Sequence, residues 1–92
     1  TKDMRVQWSL VEMGLPYRVQ GWDYAAGACD TPAFRAISPF GQIPVIEDDA
    51  LGQGALAETA AILIHLAETH GRLTPADAAG RAEVRQWCVA AM

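Results

Sequence analysis

Ser38-Pro-Phe-Gly-Gln-Ile-Pro-Val-Ile46 decides the reading of this chain, and Pro44 is its most informative residue. It heads an apolar run that otherwise reads as a β-strand. Proline cannot donate to a sheet ladder, so it is confined to edges, bulges and strand starts. The proline also pushes Ile43 towards an extended backbone. Two readings are open: a strand that simply starts after a turn, or an extended residue offering its amide and carbonyl outside the sheet. A cis Ile43–Pro44 bond would turn those groups further towards solvent.

Downstream of this stretch, Val45-Ile46 begins a strand and Glu47-Asp48-Asp49 reads as an acidic hairpin bend. Leu51 to Leu56 can return as a second strand, weakened by Gly52 and Gly54. Glu58 to His70 is the strongest helix, with Ala61, Ile62, Ile64, Leu66 and Ala67 forming a broad apolar surface and Gly71 ending it. Thr74-Pro75-Ala76-Asp77 reads as a capped single turn, and Arg81 to Met92 as a further helix with no C-terminal stop signal.

Upstream, Asp3 to Met13 reads as a helix through pairs such as Val6/Leu10 and Met4/Trp8, with Asp3 as N-cap and Gly14 and Pro16 as stop signals. Tyr17 to Trp22 alternates apolar and polar residues as a half-buried strand does, although Gly21 weakens it. Asp23 to Asp30 is a loop. Thr31-Pro32 pairs an N-cap with a first-turn proline ahead of a short turn over Ala33 to Ile37.

Composition narrows the function classes. Ninety-two residues make at most one complete domain, and 51% hydrophobic content places the chain among globular proteins. The net charge is −4, with seven scattered basic residues and no basic stripe, which argues against nucleic acid or an anionic membrane as partner. Cys29 and Cys88 lie far apart and form no Cys-x-x-Cys pair, so a disulfide framework is not expected and a reducing, cytoplasmic setting is the default. The apolar stretch Ala60 to Ile64 is far too short for a membrane span.

The order helix, strand, short helix, strand, strand, helix is nearly an α+β domain. The first helix has no strand before it, so the chain reads as beginning after a first strand and ending inside a helix.

At these residues the sequence resembles the N-terminal, thioredoxin-like domain of cytosolic-type glutathione S-transferases. Three stretches carry the likeness: Arg5-Val-Gln-Trp-Ser-Leu-Val-Glu-Met-Gly-Leu-Pro-Tyr17, Ser38-Pro-Phe-Gly-Gln-Ile-Pro-Val-Ile-Glu-Asp-Asp49 and Ala57-Glu-Thr-Ala-Ala-Ile-Leu-Ile-His-Leu-Ala-Glu68. They follow the family's order and spacing over nearly the whole chain. The resemblance implies an α+β, thioredoxin-like domain over residues 1–72 lacking its first strand, a linker over 73–79, and over 80–92 the truncated start of an all-helical domain. In the family that first strand is central. Its loss would leave unpaired edges, so the 92 residues alone are not expected to fold cooperatively.

The resemblance also implies a function: a cytoplasmic, dimeric detoxification enzyme that adds the thiolate of its co-substrate glutathione to a small electrophile, without a metal. Ile43 and Pro44 take the positions that pair with the cysteinyl part of glutathione as an added strand would. Glu58 and Thr59 fall at the helix N-terminus that seats the γ-glutamyl end, where free N–H groups and the helix dipole favour a carboxylate. Thr59 replaces the more usual serine and keeps the hydroxyl. Gln42 falls near the glycyl carboxylate.

Each of these residues has a plainer reading. Thr59 can cap the helix, Glu58 can complement its dipole, and Gln42 can be a solvated turn residue. The thiolate-stabilising donor aligns with Thr1, or lies upstream of it. The alternatives to a transferase are a non-catalytic interaction module and a glutathione-dependent isomerase, dehalogenase or reductase.

Other chemistry-bearing residues have structural readings. His65 lies on a packed helix with no acid or base partner visible in sequence, and His70 lies next to the helix end, where a histidine favours the C-terminal dipole. Cys29 has no basic neighbour to lower its pKa. Cys88 reads as a small core residue, Trp8, Trp22 and Trp87 as packing, and Glu47-Asp48-Asp49 as a solvated bend.

Overall fold

In the computed structural model the described residues are 2–23, 25–52 and 54–91. Helix α1 spans Lys2–Met13, α2 Pro32–Arg35, α3 Thr59–His70 and α4 Ala78–Ala90; strand β1 is Val45–Glu47 and β2 Ala55–Ala57. The strands pair antiparallel, with Val45 opposite Ala57 and Glu47 opposite Ala55.

The helix ends follow local chemistry. After α1, Gly14 turns left-handed at φ 69°; its N–H bonds the Val11 carbonyl, and the Leu15 N–H bonds that of Leu10. This is a Schellman closure, which glycine adopts without a Cβ penalty. Gly71 closes α3 in a related way, with the Arg72 N–H on the Ala67 carbonyl. Thr31 caps α2 through its hydroxyl, which accepts from the Phe34 N–H, and Pro32 opens the helix.

Helix α3 is the centre of the core. Its Ile62, Leu66 and Ala67 pack with Val6 and Met13 of α1, and Leu10, Leu15, Ile46 and Leu56 close the edges. The Val6/Leu10 pair thus faces inward, whereas Met4, Trp8 and Val11 stand on the outer face of α1. A smaller buried site lies under α2. There Phe34 is fully enclosed and Trp22 meets it edge-on, with ring centroids 4.9 Å apart.

The structure departs from the sequence reading at several elements. Helix α1 already includes Lys2, so Asp3 lies in its first turn and is not its N-cap. Tyr17 to Trp22 forms no strand. An extended segment becomes a strand only when a neighbour takes its N–H and C=O groups, and among the described residues none does. Residues of this segment and of β1 instead line a common open groove of about 640 Å³, floored by Val6, Leu10 and Leu66.

The returning strand is shorter than Leu51 to Leu56, because Asp48 turns the chain first. Its carboxylate accepts from the Ala50 N–H and starts a 3₁₀ turn over Asp49–Leu51. The last helix starts at Ala78, before Arg81. Asp77 caps it by accepting from the Gly80 N–H, so Thr74 to Asp77 is a capped entry to α4 and not a separate helical turn.

Candidate functional site

The turn between α2 and β1 is built on Ser38, which is fully buried. The Ser38 N–H bonds the Phe34 carbonyl at 2.9 Å, and its own carbonyl accepts from the Gly41 N–H at 3.0 Å. Its hydroxyl donates to the Gln42 carbonyl at 2.8 Å and accepts from the Gln42 N–H at 3.3 Å. Gly41 is buried with φ 64°, where a side chain would be strained. A Cβ there would lie 2.7 Å from Arg35 Nη2, so the glycine also makes room for the Arg35 guanidinium, which pairs with Asp30 at 3.1 Å.

The chain leaves this turn with Gln42 and Ile43 exposed, and the Ile43–Pro44 bond is cis. Among the described residues no hydrogen bond engages the Ile43 backbone. Both sequence readings of Pro44 describe part of this geometry: a strand starts directly after the Ser38 turn, and the Ile43 amide and carbonyl take no partner among the described residues. Pro44 then leads directly into β1.

The hairpin register brings the other half of the site alongside. Val45 pairs with Ala57, so Pro44 and Glu58 continue the two strands at the same end of the ladder. Glu58 is the N-cap of α3 at φ 75° and ψ 121°, a backbone region that non-glycine residues rarely occupy. Its carbonyl accepts the Ile62 N–H, while its side chain makes no capping bond and is exposed. Thr59 is the first helical residue and is 3% exposed. It is therefore not the cap, which removes the plainest alternative for its hydroxyl.

One end of the hairpin thus gathers the unspent amide and carbonyl of Ile43, a helix N-terminus with open N–H groups, the Thr59 hydroxyl and the Glu58 carboxylate, with the exposed Gln42 next along the chain. Together they suit an extended ligand carrying both carboxylate and ammonium groups. Thr1, the candidate thiolate donor, lies outside the described residues.

The residues set aside in the sequence fall as follows. His65 gains a partner that the sequence did not reveal: its Nε2 lies 2.9 Å from Asp48 Oδ2, and its Nδ1 lies 3.3 Å from Thr69 Oγ1. The bond with His65, then the Ala50 N–H, holds the Asp48 carboxyl below its ordinary value. Cys29 is buried in a 3₁₀ turn, whereas Cys88 is only half-buried and α4 buries no residue fully. Trp8 and Trp87 are exposed, and Trp22 alone of the three tryptophans packs into a buried site. Among the described residues no group of three or more His, Cys, Asp or Glu side chains is placed to hold a metal ion. Among the described residues no helix is long and apolar enough to cross a membrane.

Arg35 was not singled out in the sequence. Its signal is faint: a basic residue in the last turn of a short helix, three residues before Ser38.

Fold and site together define an α+β, thioredoxin-like domain. Residues 4–69 match the family described as glutathione S-transferase, N-terminal domain, and the chain belongs to that family. It is 34% identical over 71 residues to Glutathione S-transferase 3 of Schizosaccharomyces pombe, covering 77% of this chain and 28% of the relative. It is 37% identical over 82 residues to the Disulfide-bond oxidoreductase YfcG of Escherichia coli, covering 85% and 38%. A crystal structure of a glutathione transferase from Burkholderia graminis, with two glutathione molecules bound per subunit, superposes with a TM-score of 0.86 at 38% identity, covering 95% of this chain and 38% of that one. The chain therefore spans less than two-fifths of each of these relatives.

Proposed function

We propose that this chain is the glutathione-binding part of a glutathione transferase, with residues 1–72 as the binding domain, 73–79 as linker and 80–92 as the start of a helical domain. The observation that carries the reading is the shared end of the hairpin, where the unspent Ile43 backbone lies alongside Glu58 and the α3 N-terminus. Glutathione is an extended tripeptide, and its cysteinyl N–H and C=O pair with the carbonyl and amide of Ile43 as an added strand. The γ-glutamyl carboxylate sits on the first N–H groups of α3 and on the Thr59 hydroxyl, and Glu58 pairs with the ammonium. Gln42 faces the glycyl carboxylate.

Catalysis requires the glutathione thiol, ordinarily near pKa 8.5, to be held as thiolate by a hydroxyl or thiol donor. Thr1 or a residue preceding it takes that role. The thiolate sulfur then forms a bond to an electrophilic carbon, expelling a leaving group or passing the electron pair to an acceptor that is protonated. The active form is a cytoplasmic homodimer.

A second reading, a glutathione-dependent disulfide reductase, is favoured by the likeness to the oxidoreductase of Escherichia coli. Retention of the complete protein on immobilised glutathione tests the site common to both, and Thr59→Ala should abolish or sharply weaken it. Absence of binding, or binding indifferent to that change, rejects the site. Turnover of 1-chloro-2,4-dinitrobenzene against reduction of a mixed disulfide then separates the two activities.

A further inference from the structure

Only Ser38 and Thr59 are buried polar residues among the described residues. Thr59 stands at the start of α3 in the proposed site, whereas Ser38 lies in the turn before Ile43 and has no exposed surface. Such a residue is retained only if its hydrogen bonds are made, and here they hold one turn together, the Ser38 carbonyl accepting from the Gly41 N–H while its other groups engage Phe34 and Gln42. The hydroxyl engages both backbone groups of Gln42, and the Ser38 N–H ties this pair to Phe34 in the enclosed site under α2. Between Ser38 and Gln42, Pro39 and Phe40 bulge outward as exposed residues, and the buried Gly41 is itself held by its N–H on the Ser38 carbonyl, so the turn that presents Gln42 is tied together at Ser38. With its peptide groups satisfied from behind, Gln42 leaves only its side-chain amide to face outward.

We infer that Ser38 is the positioning residue for the glycyl end of glutathione, acting through Gln42 without touching the ligand. This rests on the glutathione site proposed above. A hydroxyl is the small group that donates to a carbonyl and accepts from the adjacent N–H at once, which alanine cannot do and a thiol does poorly. The cysteinyl and γ-glutamyl contacts belong to Ile43, Glu58 and Thr59. Loss of Ser38 should therefore erode recognition of the glycine specifically.

The experiment titrates the complete protein with glutathione and with γ-glutamylcysteine, which lacks the glycine, by calorimetry. Ser38→Ala should weaken glutathione about tenfold while γ-glutamylcysteine changes far less, and the loss should vanish in a Gln42→Ala background. Equal weakening of both ligands would make Ser38 merely structural, and no weakening would make it idle; either overturns the inference. If Ser38→Ala does not fold, Ser38→Cys keeps the shape of the side chain with a weaker donor and acceptor, and the same ratio is read on it. If the unmodified protein binds neither ligand, or Thr59→Ala leaves both affinities unchanged, the underlying site has failed and the inference falls with it. A Thr59 effect without a Ser38 effect rejects the inference alone.

Discussion

His65 of α3 and Asp48 at the hairpin bend are joined by a 2.9 Å hydrogen bond across seventeen residues of sequence. Both side chains are largely shielded, at 16% and 24% exposure, so the pair is not an ordinary surface contact. It ties the turn that ends β1 to the helix whose N-terminus forms half of the proposed site. The same carboxylate starts the 3₁₀ turn through its Oδ1.

Asp48→Asn should cost about 1.5–3 kcal/mol near neutral pH, the value of a hydrogen bond to a charged partner. The pH dependence has a definite sign. The folded-state carboxyl is held below its ordinary value of 3.8, chiefly by the His65 bond. Its contribution is thus fully present above that value and is lost as the pH falls through the lower, folded-state value. Urea unfolding of the complete protein and the variant should differ most at neutral pH and converge in acid. A gap that widens in acid contradicts this assignment.

Glu58→Gly should move stability and binding in opposite directions. A non-glycine residue at φ 75° carries about 1–3 kcal/mol of strain, and glycine's entropy returns about 0.5–1 of the relief. A net gain of about 1 kcal/mol is expected. Glutathione affinity should fall about tenfold, because the carboxylate that pairs with the ammonium is gone. Denaturation and calorimetry read the two effects separately, and a loss of stability would show that Glu58 is not strained.

Gly80→Ala tests packing against propensity. In an open helix the change stabilises by about 1 kcal/mol. Here the new Cβ would meet Pro75 Cγ at 2.7 Å and Asp77 Oδ1 at 2.9 Å. The proline ring cannot swing aside, and Asp77 is the cap of α4. The expected outcome is a net loss of about 1–2 kcal/mol, seen as a lowered Tm. A raised Tm would mean that the α4 entry relaxes freely.

Phe34 and Trp8 should behave oppositely despite similar chemistry. Phe34→Ala empties a fully enclosed site and should cost about 3–5 kcal/mol. Trp8 is 69% exposed, and Trp8→Ala should stay within about 0.5 kcal/mol. Chemical denaturation of both variants checks the contrast.

What the sequence determined by itself was local. Gly14, Gly71 and Thr31-Pro32 mark helix boundaries because caps and stops act within one turn, and the structure places those boundaries there. Pro44 marked the head of a strand for the same reason, since its missing N–H is a property of one residue. Tertiary structure decided everything that depends on a distant partner. Tyr17 to Trp22 alternates correctly yet forms no ladder, because a ladder needs a second chain segment beside it. Trp8, Trp87 and Cys88 have apolar side chains but lie where no packing element covers them fully. The Asp48–His65 bond, the left-handed Glu58 and the bringing together of Pro44 with Glu58 come from hairpin register and helix docking. Residue types can nominate such a site, but only the pairing of strands and the packing of α3 bring its members to one end of the sheet.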